Sequence, residues 1–372
     1  MNTAAALSND DDLVLNTTAR AIDEAIAAEA EADPPRGHLG MSQIGEEDAR
    51  KVWLKFRWSL PDEPAPRVQR IFRLGNIIEI EIARLLRMVP GVTLHEVDPE
   101  TGEQFRYSYI GGHFGGSMDG AVVGVPEAPK TWHVWEAKSV NGDRFKELVK
   151  QGVKSWSPEY YGQLQCYMGA SGMTRALFTA YNKDTSEIYI ERVKPEPMYW
   201  ESAQVKAERI IEAKEPPPST YPKREYYKAR FMSDEAQAVY WGDRLPPRPS
   251  CRNCRFAQPV MTGNAAWYCH LHGREIGTVK HQLAGCTHHN WIPALMPAKL
   301  VQLYDDCAEY VTTDGVKFFN APRLEAAIGV HVYDSWELSH VSKIGLKAET
   351  LGEEFITTVR SMFGARIDEV TV

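Results

Sequence analysis

The chain has 372 residues, 43% hydrophobic and 25% charged, with a formal charge of −8. This is ordinary globular composition, with room for a sizeable core and about two or three domains. No apolar run approaches the roughly 18–20 residues that span a bilayer, and the N-terminal MNTAAALSNDDD lacks the basic and apolar regions of a secretory signal, so a cytoplasmic protein without membrane contact is expected. The net charge argues superficially against a nucleic-acid partner, but it is unevenly spread. Residues 1–36 hold eight acids and two bases, a net of −6, which leaves −2 for the rest. That segment is expected to be an acidic mobile arm with a helix over 17–32, ahead of a nearly neutral body that can still carry basic surface.

From Gly37 the pattern becomes that of a folded core. GHLGMSQIGEEDARKVWLKFRW predicts a helix over about 45–57 capped by Ser42, PDEPAP a linker, and residues 67–89 a long helix. Strands are expected near 92–97, 104–110, 117–124 and 131–138, then helices at 142–154 and 158–170, strands at 174–181 and 186–193, and a helix over 196–213. This alternation predicts an α/β core over 37–213, a mixed central sheet flanked by helices. Residues 214–250 form a basic, aromatic linker. A cysteine-rich module covers 251–296, and 297–372 a small C-terminal α/β region ending in a helix near 348–364.

Within the core, SMDGAVVGVPEAPKTWHVWEAKS (117–139) places charged groups on apolar strands. Side chains alternate faces along a strand, so Glu136 and Lys138 point one way and Trp135 and Ala137 the other. GVPEAP is turn-like, and a hairpin through it would bring Asp119 close to Glu136. Two carboxylates at one point repel unless a cation joins them. Hard divalent ions prefer carboxylate oxygens, and a nearby ammonium completes the parts for metal-assisted phosphodiester hydrolysis. Unrelated strand-end acids beside a solvated lysine are the plainer alternative.

Helix 67–89 adds a third acid. On a helical wheel, Ile71, Phe72, Ile78, Ile82, Ala83 and Leu86 form an apolar arc around Gly75, with Arg73, Asn76, Arg84 and Arg87 opposite. Glu79 falls inside that arc, where a carboxylate needs either backbone hydrogen bonds or the metal site; Glu81 reads as solvated. In PEYYGQLQCYM (158–168), Gln163 and Tyr167 share a face with Tyr160 beside them, suited to touching DNA or to holding the lysine. Lys146, Lys150 and Lys154 recur every four residues, a stripe suited to phosphates, although such a stripe is more often plain solvated surface and gains weight only through its position beside the candidate site.

In this order SQIGEEDARKVW (42–53), GNIIE (75–79), MDG (118–120), EAK (136–138) and QLQCYM (163–168) resemble the PD-(D/E)XK nuclease superfamily, and within it the RecB-type and λ-exonuclease-like enzymes of phages. The resemblance covers about 37–195 and implies a restriction-endonuclease-like core. It implies that Asp119 and Glu136, with the Ala137 carbonyl, ligate Mg²⁺ or Mn²⁺, that Glu79 is the helical acid near the metal, that Lys138 positions the attacking water, and that Gln163 and Tyr167 form the motif after the core. Met118 stands where the family usually has proline, a position that ligates nothing. The implied activity is metal-dependent DNA hydrolysis leaving a 5′-phosphate, as an exonuclease in phage-type recombination or DNA processing, with DNA and a recombination or annealing protein as partners and a homo-oligomer plausible.

The second signal is C-x2-C-x14-C-x16-C, formed by Cys251, Cys254, Cys269 and Cys286. Thiolates at such spacing can close a tetrahedral Zn²⁺ site that holds a loop-rich segment together. His270, His272, His281, His288 and His289 crowd the same window, and one could replace a cysteine. Some RecB-like nucleases hold a 4Fe–4S cluster with one cysteine ahead of the nuclease motifs; here all four lie downstream, which favours zinc. Cys166 reads as a small core residue and Cys307 has no assigned role. PKREYYKARF (222–231) either touches DNA or packs as a linker through its tyrosines. Two other readings stay open: a non-catalytic DNA-binding or scaffold protein on a nuclease-like core, and a structure-selective endonuclease on the same site.

Overall fold

The structure, a computed structural model, describes residues 9–31, 35–61, 65–226, 232–322 and 331–352. Helix α1 (Asn9–Glu31), strand β1 (Leu39–Gly40) and helices α2 (Ala49–Phe56) and α3 (Pro66–Arg87) precede strands β2 (Thr93–His95), β3 (Arg106–Tyr109), β4 (Phe114–Ser117), β5 (Gly120–Val123) and β6 (His133–Val140). Helices α4 (Gly142–Trp156) and α5 (Pro158–Ser171), strands β7 (Ala176–Asn182) and β8 (Ile188–Val193) and helix α6 (Tyr199–Glu212) follow. Beyond them lie α7 (Asp234–Trp241), β9 (Ala257–Pro259), β10 (Trp267–Cys269), β11 (Arg274–Ile276), α8 (Val279–Ala284), β12 (Lys299–Leu303), β13 (Ala308–Val311), β14 (Lys317–Asn320), β15 (Val332–Tyr333) and α9 (Ser335–Val341).

The expected mixed α/β architecture is present. Its centre is a five-stranded sheet in the order β2-β5-β6-β7-β8, in which only β6 and β7 run parallel. The alternation of β6 decides the layering. Trp135 and Ala137 pack with Ile78, Ile82, Ala83 and Leu86 of α3. Val134 and Val140 belong to a larger core that includes Phe145 and Leu148 of α4 and Leu164 and Met168 of α5. Phe72, expected on the buried arc of α3, is instead 59% exposed; it lies a turn and a half ahead of Ile78, where the core-facing stripe begins.

Local chemistry moves other boundaries. The helix expected at 45–57 is a 3-10 turn at Met41–Gln43 followed by α2, and its cap is Asp48, not Ser42. The Asp48 carboxylate is fully buried. It accepts from Lys51 N at 2.6 Å, from Thr220 N and Oγ1 at 2.8 Å and from Tyr240 OH at 3.0 Å. One side chain therefore caps α2 and ties the 214–250 segment to the core. In that segment Tyr221 stacks on Tyr240 and meets Tyr226 at a tilt, each ring 5.5 Å away; residues 227–231 of the basic stretch lie outside the described residues. Gly152, at φ 72° and ψ 161°, breaks α4, so the lysine stripe does not continue on one helix to Lys154.

Within 1–36, the expected arm, α1 packs along α3, with Asp23 paired to Arg70 and Glu29 to Arg73. The tail contributes a four-stranded sheet, β12-β13-β14-β15. Of the helix expected at 348–364, residues 348–352 are turn and bend, and the remainder lies outside the described residues. No helix among the described residues is long and apolar enough to cross a membrane.

Candidate active site

β5 and β6 form the expected antiparallel hairpin, with Gly120 opposite Trp135. Asp119, immediately before β5, is thereby set beside the middle of β6, and its Oδ2 accepts the Ala137 backbone N–H at 2.9 Å. Glu136 is fully buried, and Lys138 Nζ donates to its Oε1. The same ammonium donates to the Ala137 carbonyl at 3.0 Å and lies 4.0 Å from Asp119 Oδ2.

Helix α5 supplies the next layer. Gln163 Nε2 donates to Glu136 Oε1 at 2.8 Å. The Tyr160 ring sits 5.3 Å from Lys138 Nζ, close enough for a cation–π contact. Tyr167 OH donates to the Ser117 carbonyl at 2.5 Å and so anchors the chain just ahead of Asp119. With Lys138 and Gln163 both on Oε1, the buried Glu136 Oε2 has no hydrogen-bond partner among the described residues.

The electrostatics follow from crowding acids in a dry place. Burial first, and Asp119 second, push Glu136 up to about 8. The same two causes raise Glu79 to about 7, so the helical acid is within electrostatic reach of Asp119 and Lys138. Burial alone would lower Lys138, but Glu136 and Asp119 hold it well above its ordinary value. Lys138 is thus a firmly protonated cation wedged against two acids.

The structure brings together Asp119, Glu136, Ala137, Lys138 and Gln163, sets Glu79 within charge reach, and puts Tyr167 one contact away. Glu81 pairs with Arg84 on the surface, as its position on the wheel suggested. Sequence reasoning missed Thr179, whose hydroxyl accepts from Trp135 Nε1 and donates to the Glu136 carbonyl, both at 3.1 Å, pinning β6 from β7. A threonine inside a strand carries no signal of that role. It also missed why Gly45 stands in SQIGEE. A β-carbon there would lie 2.5 Å from the Pro158 carbonyl oxygen and 2.6 Å from Glu159 Cα, so only glycine admits the start of α5 at this distance.

No protein-family model matches the chain. No curated protein matches it either. Among solved structures it is similar to LHK-Exo in complex with dAMP, at 17% identity over 52% of this chain and 90% of that one, with a TM-score of 0.34. A second structure, an alkaline exonuclease (LHK-Exo) from Laribacter hongkongensis, shares 18% identity over 50% of this chain and 90% of its own, at a TM-score of 0.33. SSO0001 shares 14% over 53% and 87%, at a TM-score of 0.35.

The cysteines occupy separate short elements. Cys251 opens a 3-10 turn that Cys254 closes, Cys269 ends β10 opposite Ala257, and Cys286 follows α8. All four are free thiols. Burial, together with the other cysteines of the set, raises Cys251 and Cys254 to about 12, so the thiols lie within charge reach of one another. Among the described residues no three His, Cys, Asp or Glu side chains are placed so that they could hold a metal ion, either here or at Glu136.

Proposed function

We propose that the protein is a divalent-metal-dependent DNA nuclease of the PD-(D/E)XK type, an exonuclease in phage-type recombination or DNA processing. The observation that carries this reading is the convergence of Asp119, Glu136, Lys138 and Gln163 from a hairpin, a central strand and a helix. The donor types are those a hard cation prefers. The set consists of carboxylate oxygens and a backbone carbonyl, and Glu136 Oε2 is buried and uncommitted. Asp119, Glu136 and the Ala137 carbonyl, with Glu79 nearby, would hold Mg²⁺ or Mn²⁺. When bound, such an ion supplies Lewis-acid polarisation of a phosphoryl oxygen and acidifies water.

The chain's own groups do the positioning. The Lys138 ammonium, held at Glu136 and the Ala137 carbonyl, has one N–H left, a fixed hydrogen-bond donor for the attacking water. Gln163 fixes the Glu136 carboxylate, and Tyr167 fixes the backbone that presents Asp119. Water adds to phosphorus as the 3′-oxygen departs, and a 5′-phosphate remains.

The test is digestion of end-labelled linear DNA with Mg²⁺, with and without EDTA. Cleavage is expected only with free metal, and closed circular DNA is expected to resist it. Asp119→Ala and Lys138→Ala chains that digest DNA at the parent rate would overturn the assignment. Rapid cutting of closed circles would select an endonuclease, and metal-independent binding without product a scaffold.

A further inference from the structure

The C-terminal sheet ends on an exposed edge. β12 is first in the order β12-β13-β14-β15, and no strand among the described residues pairs with its outer side. Every residue from Lys299 to Asp306 is exposed, including Leu300 at 36%, Val301 at 43%, Leu303 at 47% and Tyr304 at 39%. The register with β13 says where the leucines point. Leu300 lies opposite Tyr310 and Leu303 opposite Ala308, both fully buried. Cross-strand partners share a face, so both leucines belong to the core side of the sheet. They stay exposed because no further strand carries the sheet past them.

The register shift at Val301 creates this arrangement. Leu300 and Leu303 are three positions apart, and in a regular strand they would fall on opposite faces. Bulges and lysines usually blunt an edge. Here the bulge turns two leucines to one side, and the lysine stands at one end of the strand, with Asp305 and Asp306 at the other.

That order is self-complementary. Take β12 paired antiparallel with its own copy about a two-fold axis between Val301 and Gln302. Leu300 then lies opposite Leu303 of the second copy, and Leu303 opposite its Leu300, all on the core side. On the other face Lys299 comes opposite Tyr304 and one residue from Asp305, at both ends of the pair. Tyr304 is on that face because its ring meets Phe319, the cross-strand partner of Glu309, which itself lies opposite Gln302. Neither Lys299 nor Asp305 makes an ion pair among the described residues. Parallel pairing would instead set lysine beside lysine and acid beside acid.

We propose that β12 is the interface of a two-fold dimer, in which two copies of this chain join their four-stranded sheets into one of eight strands. The contact uses the same patch on both copies, so it closes at two. The outer backbone groups of β12 gain the hydrogen bonds that an edge lacks, and the paired leucines close the rim of both cores. The inference is independent of the nuclease reading.

The experiment is sedimentation velocity of the purified full chain from about 1 to 100 µM. Twice the 42.0 kDa chain mass is expected at the upper end. Leu303→Asp should be a monomer throughout, with unchanged circular dichroism. Lys299→Glu should weaken the dimer by about 10-fold, because it sets like charges together at both ends. Adding Asp305→Lys and Asp306→Lys to it should bring the affinity back to within about 3-fold of the parent. If Leu303→Asp does not fold, the charge variants decide. A parent that stays monomeric at the highest concentration, an assembly larger than two, or a dimer that Leu303→Asp and Lys299→Glu leave unchanged overturns the interface. A charge reversal that the swap does not rescue overturns the antiparallel pairing.

Discussion

The central sheet and the cysteine segment treat buried charge in opposite ways. At β6, acid and base come from the same strand, so Glu136 meets Lys138 without help from any other element. Around Cys254 the chain buries two arginines and supplies only thiols, which are neutral at ordinary pH. One site is nearly balanced as it stands, and its buried Glu136 Oε2 is uncommitted. The other keeps its guanidinium groups among backbone carbonyls, the Gln282 amide and aromatic rings. An acid and a base on one strand fix each other, whereas buried guanidinium groups without an acid are held by neutral oxygen acceptors drawn from distant parts of the chain.

The largest expected effect strikes the balanced site. Lys138→Ala should lower DNA cleavage by about 10²-fold or more, while circular dichroism and thermal unfolding show a folded chain. Retained activity would break the contrast, because the lysine would then be only a counter-ion.

Gly45→Ala should act on the same site from a distance. The added methyl meets the Pro158 backbone and must shift α5 together with Gln163 and Tyr167. A loss of about 1–3 kcal/mol in stability is expected, with a fall in turnover larger than any change in apparent DNA affinity. A chain with parent stability and kinetics would show that α5 need not sit where it does.

Protons sharpen the comparison further. Glu136 is raised from 4.5 to about 8 in the fold, so between those values the folded state binds more protons than the unfolded chain. In metal-free protein, stability should therefore fall as pH rises through that window. Lys138, raised above its ordinary 10.5, does not offset this below pH 8. Glu136→Gln should flatten the dependence, and stabilisation by Mg²⁺ should grow from pH 5 to pH 8, both read as thermal midpoints. A flat profile in the parent would mean that the carboxylate is ionised at no cost.

The smallest effect belongs to the exposed pairs. Glu29→Gln, which removes the partner of Arg73 on α3, should change stability by about 0.5 kcal/mol or less. A larger loss in urea titration would show that α1 is part of the folded core.

Much of the balanced site was legible in the chain. The period of two fixes Glu136 and Lys138 on one face wherever that strand lies, and the turn residues of GVPEAP demand the hairpin that delivers Asp119. The helical period likewise places Gln163 and Tyr167 on one side of α5. The wheel of α3 was right for Ile78, Ile82, Ala83 and Leu86 but not for Phe72, because periodicity fixes a direction around a helix and not how far along it the neighbouring sheet extends.

The sequence by itself determined the local order: which side chains share a face, where turns fall, and that four cysteines crowd one window. Only the tertiary structure decided that Thr179 braces the strand carrying Glu136, that Asp48 rather than Ser42 caps α2, that Gly45 admits α5, and that Arg57 and Arg252 meet behind Cys254. Apart from the Asp48 cap, those contacts join residues tens to hundreds of positions apart. No periodic pattern encodes them, since they depend on how closely two backbones approach and on which charges are shut away from water together.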